Sequence, residues 1–147
     1  MEESLQRLNL KTLDIVYIHN PYEAQGPFNT DAVFYDRLQQ AFETMEQLVS
    51  ENKIRAYGVA TYSSLRVKPT EQKMHLNIQR VEKLAQKVAG KSHNMKFVQV
   101  PVNVMMPEAF VEPWQVMEDS EGVARNKILV GCLSDMELNL VTSQPLL

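Results

Sequence analysis

Four short runs of apolar and β-branched residues recur along the chain at nearly equal intervals. They cover residues 13–18, 54–59, 97–102 and 138–142, so their starts lie 41, 43 and 41 positions apart. Each run is apolar almost throughout and does not alternate with polar residues. This pattern is typical of strands in a parallel sheet that are buried on both faces. The sequence therefore predicts four parallel strands.

Helical spacing fills the intervals between the predicted strands. From Leu38 onward, apolar residues recur at i, i+3, i+4, i+7, i+10 and i+11, which makes one stripe along a helix. Thr30 or Asp31 is predicted to cap the start of this helix. A second stripe over 81–88 has Asn77 as its predicted N-cap. Shorter stripes at 5–8 and 128–133 predict a helix end before the first strand and a weaker helix before the last.

The order of these elements predicts an α/β protein. Alternation of strand and helix implies parallel strands joined by right-handed crossovers. Four βα units fit either an open sheet or a partial (β/α)8 TIM barrel, and periodicity alone leaves both possible. No segment has the composition of a linker, so residues 1–147 are predicted to form a single, incomplete barrel domain. Long connections without a helical or strand pattern, at residues 20–30, 62–76 and 103–125, follow the strands, where α/β proteins place ligand sites.

Half a barrel would leave two sheet edges without partners and a bare inner face of apolar side chains. Such a surface needs a cover. We therefore expect self-association or another protein subunit as a partner.

Composition excludes several other classes of partner and site. The net charge is −3 and no basic block occurs, which argues against nucleic-acid binding. The apolar runs are too short to span a bilayer, so no membrane partner is predicted. No spacing of His, Cys, Asp and Glu matches a metal site. The single cysteine, Cys132, permits no internal disulfide, and the start of the chain, with Glu2 and Glu3, is unlike a presequence; a cytoplasmic location is predicted.

Polar residues within or beside the predicted strands are the candidates for function. Gln99 lies in an apolar strand, where its burial is costly without a hydrogen bond, and either a ligand or neighbouring backbone could supply that bond. His19 ends the first strand, where it fits either a pocket lining or a simple turn satisfied by backbone. Asp14 is expected to pair with backbone or a nearby cation. His75 and His93 lie in polar loop sequence and are expected to be solvated.

Motifs along nearly the whole chain resemble one enzyme family. The segments read LDIVYIHNP at 13–21, AFETMEQLVSENKIRAYGVATYS at 41–63, LRVKP at 65–69, FVQVPVN at 97–103 and LVTSQPLL at 140–147. In this order and spacing they resemble barrel strands four to seven of the aldo-keto reductases, in a bacterial-type subgroup whose fourth strand ends in His-Asn-Pro. The resemblance implies an incomplete aldo-keto reductase barrel.

The resemblance also implies a cofactor and a set of site residues. Aldo-keto reductases reduce carbonyls with NADPH, using an aspartate, a tyrosine, a lysine and a histidine. His19 is the counterpart of the histidine, whereas the other three precede the fourth strand in the family and have no counterpart in this sequence. Gln99 matches a glutamine that binds the nicotinamide carboxamide. Thr61 partly replaces a carboxamide-binding asparagine, and Ser143 stands where a stacking tyrosine is usual.

Two functions are compatible with these residues. The first is an NADP-dependent oxidoreductase fragment with His19 as its catalytic residue and Thr61, Gln99 and Ser143 at the cofactor. With the aspartate, tyrosine and lysine lacking, this fragment is not expected to reduce carbonyls alone. The alternative is a non-catalytic scaffold or structural subunit of a larger assembly. Only the first predicts saturable NADPH binding.

Overall fold

A computed structural model describes residues 2–71 and 73–145 of the chain. Strands and helices alternate along it, as the sequence predicts. Their bounds are α1 Glu2–Leu8, β1 Leu13–His19, α2 Pro21–Gln25, α3 Asp31–Ser50, β2 Ile54–Ala60, α4 Ile78–Ala89, β3 Met95–Pro101, α5 Glu108–Val111, β4 Gln115–Glu118, β5 Ala124–Lys127, α6 Leu129–Asp135 and β6 Asn139–Ser143. The motif at 140–147 lies partly outside the described residues.

The main sheet contains the four predicted strands in the order β1-β2-β3-β6, and all neighbours are parallel. Their observed bounds differ from the predicted ones by one or two residues. Because the strands follow one another in chain order, crossovers of one hand place the connecting helices on the same face of the sheet. This strand order and layering are those of a partial (β/α)8 barrel.

The two long helices begin where their capping residues predict. The Thr30 hydroxyl accepts a hydrogen bond from the Val33 amide at 3.4 Å at the start of α3. Asn77 Oδ1 accepts one from the Arg80 amide at 3.0 Å at the start of α4. Each side chain satisfies one of the amides that the first helical turn leaves without a partner. Both caps confirm the sequence prediction.

The core lies between the sheet and these helices. Phe42 from α3 is fully buried and its ring lies 5.4 Å from that of Tyr57 on β2. The Tyr57 hydroxyl donates to Glu46 Oε1 at 3.0 Å, so this buried polar group has a partner. Val98 on β3 and Val81 on α4 are also fully buried. The apolar stripes of both helices therefore face the sheet.

The prediction that all four strands are buried on both faces is wrong for the two edge strands. No residue of β1 or β6 is fully buried, and Ile15 is 36% exposed. The reason is that the described helices cover one face of the sheet, and edge strands have one neighbour instead of two. Asp14 is exposed and pairs with Arg55 at 3.1 Å, which confirms the expected cation partner.

An antiparallel hairpin, β4 and β5, lies within and just beyond the connection at 103–125 that the sequence reads as a loop. Its turn is held by Asp119 Oδ1, which accepts hydrogen bonds from the Glu121 and Val123 amides. The hairpin is joined to the start of α4 through Gln115, whose Oε1 accepts from the Ile78 amide at 2.9 Å. The strands are short and β5 is wholly exposed, so they leave no apolar period in the sequence.

The expectation that His75 and His93 are solvated is also wrong. His93 is only 4% exposed, and its Nε2 lies 3.7 Å from Glu82 Oε1. His75 is half-buried, with Nδ1 2.9 Å from the Val67 carbonyl oxygen. The connection after β2 folds back on itself, since the amide of the fully buried Leu76 donates to the Ser64 carbonyl oxygen at 2.8 Å.

Across residues 2–71 and 73–145, no helix has both the length and the apolar character to cross a membrane. The same residues contain no group of three or more His, Cys, Asp or Glu side chains placed to bind a metal ion.

Candidate functional site

A cleft of about 300 Å³ lies at the carboxyl ends of the four parallel strands. Each strand contributes one of the side chains that the sequence predicts for the site. His19 ends β1, Thr61 directly follows β2, Gln99 lies in β3 and Ser143 ends β6. All four line this cleft. Parallel strands bring their carboxyl ends to one edge of the sheet, which is where barrel enzymes place their sites.

Register places two of these residues on one face of the sheet. His19 is opposite Ala60, and Ala60 is opposite Gln99. Because directly paired residues of neighbouring strands point to the same face, the His19 and Gln99 side chains lie on either side of a single alanine. The small Ala60 side chain leaves the floor of the cleft open between them.

The polar atoms of this site have few partners within the protein. The His19 ring and the Gln99 side-chain amide make no hydrogen bond with any described residue. Gln99 does use its backbone, since its carbonyl oxygen accepts from the Thr61 amide at 2.9 Å. The structure therefore shows no backbone hydrogen bond to the His19 ring or to the Gln99 side-chain amide within the described residues, which were the alternatives to a ligand.

Thr61 carries the clearest unsatisfied group in the cleft. The residue is 4% exposed, and its Oγ1 is buried without a hydrogen-bond partner among the described residues. A buried hydroxyl without a partner typically costs about 1–3 kcal/mol. A ligand that carries both donors and acceptors would remove this cost.

Ser143 lies opposite Pro101 in the register of β3 and β6. Its backbone carbonyl oxygen accepts from the Val102 amide at 3.0 Å, which holds the end of β6 against β3. The serine hydroxyl makes no hydrogen bond to the part of the protein that the structure describes. The Ser143 side chain can form a hydrogen bond with a ligand, but it has no aromatic ring on which a ligand could stack.

The family of the chain follows from a comparison of its sequence with known families. Residues 1–104 of the 147 match the Aldo/keto reductase family. The chain belongs to the aldo/keto reductases.

Solved structures of aldo/keto reductases have the same fold over nearly all of this chain. An aldo/keto reductase from Klebsiella pneumoniae, in complex with NADP and acetate, covers 97% of it with a TM-score of 0.56 and 20% identity. One from Brucella melitensis covers 97% with a TM-score of 0.52 and 13% identity. The chain spans only 35% and 38% of those two proteins. No curated protein matches the chain significantly.

The position of the family match separates two parts of this aldo/keto reductase chain. The match ends at residue 104, directly after β3, so it includes His19, Thr61 and Gln99. The hairpin, α6 and β6 with Ser143 follow it. The structural comparison nevertheless covers 97% of the chain, so β6 continues the same sheet.

Five further residues line the cleft that sequence reasoning did not assign to it, among them Asn20 and Tyr62. Tyr62 is 49% exposed and supplies an aromatic ring beside Thr61. Asn20 has a left-handed backbone, with φ 47° and ψ 47°. An asparagine between a strand end and a proline was the available signal, because asparagine tolerates this conformation better than most residues.

A larger cavity, of about 600 Å³, lies outside this cleft between the starts of α3 and α4. His75 Nε2, at its lining, is buried without a partner among the described residues, whereas two of its charged groups pair with each other. Arg80 pairs with Asp31 at 2.8 Å, and its guanidinium lies 4.0 Å from the centroid of the Tyr35 ring. Size therefore does not single out the candidate site in this aldo/keto reductase; the four predicted residues line the smaller cleft, at the strand ends.

Proposed function

We propose that this chain forms the nicotinamide-facing part of an NADP-dependent carbonyl reductase site. The observation that carries the proposal is the convergence of His19, Thr61, Gln99 and Ser143 on one cleft, where their side-chain polar atoms have no partner among the described residues. Family membership supports it, and so does the NADP bound to the Klebsiella pneumoniae protein. The cytoplasm is the compartment we propose for it.

The residues present fit the carboxamide of a nicotinamide. A carboxamide has one carbonyl acceptor and an NH2 group with two donors, and the Gln99 amide offers the complementary pair. Thr61 Oγ1, which is buried without a partner in the described part of the chain, can both donate and accept. In the proposal Gln99 and Thr61 hold the carboxamide, and Ser143 contributes a hydroxyl at the other side of the cleft. When bound, NADPH supplies the hydride.

His19 is the proposed catalytic residue. Its exposed ring lies at the cleft without a partner in residues 2–71 and 73–145, so it can donate a hydrogen bond to a substrate carbonyl oxygen. We further propose that this is insufficient for turnover. A positioned proton donor typically accelerates a reaction by about 10²–10⁴-fold, and the tyrosine that performs this role in the family has no counterpart in this sequence.

Direct titration of the 147-residue chain with NADPH tests the proposal. We expect saturable binding that quenches or shifts the fluorescence of the reduced nicotinamide. Gln99→Ala should weaken binding roughly five- to ten-fold, which corresponds to one or more lost hydrogen bonds in a desolvated cleft. Mixing the chain with NADPH and an aldehyde should give no oxidation of NADPH above background.

Gln40→Ala is the matched control, because Gln40 is exposed on α3 and does not line the cleft. Unchanged affinity in Gln99→Ala would remove Gln99 from the cofactor site. If the unaltered chain shows no saturable binding at all, the nicotinamide proposal itself is rejected.

The second candidate function is that of a non-catalytic scaffold within a larger assembly. The observation that favours it is the open sheet, in which β1 and β6 are edge strands with no fully buried residue. We propose that a second copy of the chain or another protein subunit covers these edges. Edge strands with unpaired backbone groups readily accept further strands.

A further inference from the structure

Two side chains after β1 hold the segment that follows β2. Asn20 Oδ1 accepts a hydrogen bond from the Tyr62 amide at 2.9 Å. Glu23 Oε1 accepts from the amides of both Ser63 and Ser64, each at 2.9 Å. The backbone is tied as well, since the Asn20 amide donates to the Ala60 carbonyl oxygen at 2.6 Å. The end of β1 is thus connected to that of β2 by four hydrogen bonds.

The local sequence explains why these side chains reach across. Asn20 adopts the left-handed conformation, which turns the chain sharply after the last residue of β1. Pro21 then begins the short helix α2, where its fixed φ and its missing amide proton are both tolerated. This turn directs the Asn20 side chain back toward β2, and it places Glu23 in the first turn of α2, beside the same segment.

The two site residues are direct neighbours of this connection. His19 precedes Asn20, and Thr61 precedes Tyr62. Thr61 is also held from the other side, because its own amide donates to the Gln99 carbonyl oxygen at 2.9 Å. The amides of residues 61 to 64 therefore all have acceptors, and three of these four amides donate to side chains from the β1 side.

We infer that Asn20 and Glu23 are positioning residues, which fix Thr61 relative to His19 across the cleft. The inference rests on the proposed function, because it is the proposed nicotinamide contact of Thr61 that this positioning serves. Neither side chain needs to touch the cofactor. Asn20 sets the end of the cleft through the Tyr62 amide, and Glu23 holds the next turn of the segment through two amides.

Paired variants separate the hydrogen bonds from the backbone conformation. Asn20→Gly keeps the left-handed turn and removes the acceptor, whereas Asn20→Asp keeps an acceptor oxygen in the same place. Glu23→Ala removes the second acceptor, and Glu23→Gln retains it. Amide hydrogen exchange of Tyr62 and Ser63, followed by NMR in the cofactor-free chain, reports the positioning directly. NADPH titration of the same variants reports its consequence.

We expect faster Tyr62 exchange and roughly five-fold weaker NADPH binding in Asn20→Gly, with the Asp variant close to the unaltered chain. Glu23→Ala should act in the same way on Ser63, and Glu23→Gln should not. Unchanged exchange of Tyr62 in Asn20→Gly would overturn the inference. So would faster exchange together with unchanged affinity, since Asn20 would then be merely structural. If exchange responds as expected but the unaltered chain binds no NADPH, the positioning stands and the proposed function fails.

Discussion

At the scale of single residues, His75 lies in a polar loop sequence but is half-buried, next to the fully buried Leu76. Its Nδ1 lies 2.9 Å from the Val67 carbonyl oxygen and must carry the proton of that hydrogen bond, because a carbonyl can only accept. The opposite nitrogen, Nε2, is buried without a partner among the described residues. The structure therefore accommodates the neutral ring.

Burial lowers the pKa of His75 below its ordinary value, partly offset by the hydrogen bond to Val67. Below about pH 6.5 the unfolded chain then binds the proton more readily than the folded one. The free energy of unfolding should consequently fall as the pH decreases through this region. Urea unfolding at about pH 7.5 and about pH 5.5 measures the decrease.

His75→Asn isolates the contribution of this ring, because the asparagine amide can still donate to Val67 but does not titrate. The variant should lose less stability between the two pH values than the unaltered chain. Gln40→Ala is the control, since Gln40 is exposed on α3 and does not titrate, and it should leave the decrease unchanged. Equal decreases in all three proteins would contradict the assignment.

At the scale of elements, β2 and β3 approach each other unusually closely at Gly58. A Cβ atom at Gly58 would lie 2.1 Å from the Phe97 carbonyl oxygen, which belongs to the backbone and cannot move aside alone. The register between the two strands also shifts between Tyr57 and Gly58. The glycine is therefore required by this strand pair, on which the positions of Ala60 and Gln99 depend.

Gly58→Ala should destabilise the protein by about 3 kcal/mol, because the strands must separate or shift to admit the methyl group. Urea unfolding measures this change. The control is Gly131→Ala on α6, where a Cβ would meet only Ile128 Cγ1 at an ordinary 3.5 Å. The control should be stabilising by about 0.5–1 kcal/mol, since alanine favours a helix over glycine. Comparable stabilities of the two variants would show that β2 and β3 tolerate a wider separation.

At the scale of the whole molecule, one face of the sheet carries both the cleft and exposed apolar side chains. Ile15 lies on the same face as His19, four residues earlier on β1, and is 36% exposed. We expect association to cover this face, so light scattering should give a mass above the 16.9 kDa of one chain. Ile15→Lys should lower that mass toward the monomer.

Ala32→Lys provides the control, because it adds the same charge to an exposed position of α3. It should leave the mass unchanged. A monomer of 16.9 kDa that unfolds cooperatively would contradict the prediction and would show that four parallel strands are stable without a partner.

The sequence by itself determined the four strands, the two long helices and their caps. These features are local: an apolar run, a helical stripe or a capping side chain such as Thr30 or Asn77 acts on the few residues beside it. Motif resemblance also located His19, Thr61, Gln99 and Ser143, which lie at or near the carboxyl ends of strands and therefore meet at one edge of a parallel sheet.

Only the tertiary structure decided which of these groups have partners. The unsatisfied hydroxyl of Thr61, the acceptor role of Asn20 and the burial of His93 depend on segments about 10 to 40 residues away in the chain. The hairpin and the exposure of β1 were misjudged for the same reason. Burial and hydrogen bonding depend on which other segments approach a residue, and hydrophobic periodicity carries no information on that approach.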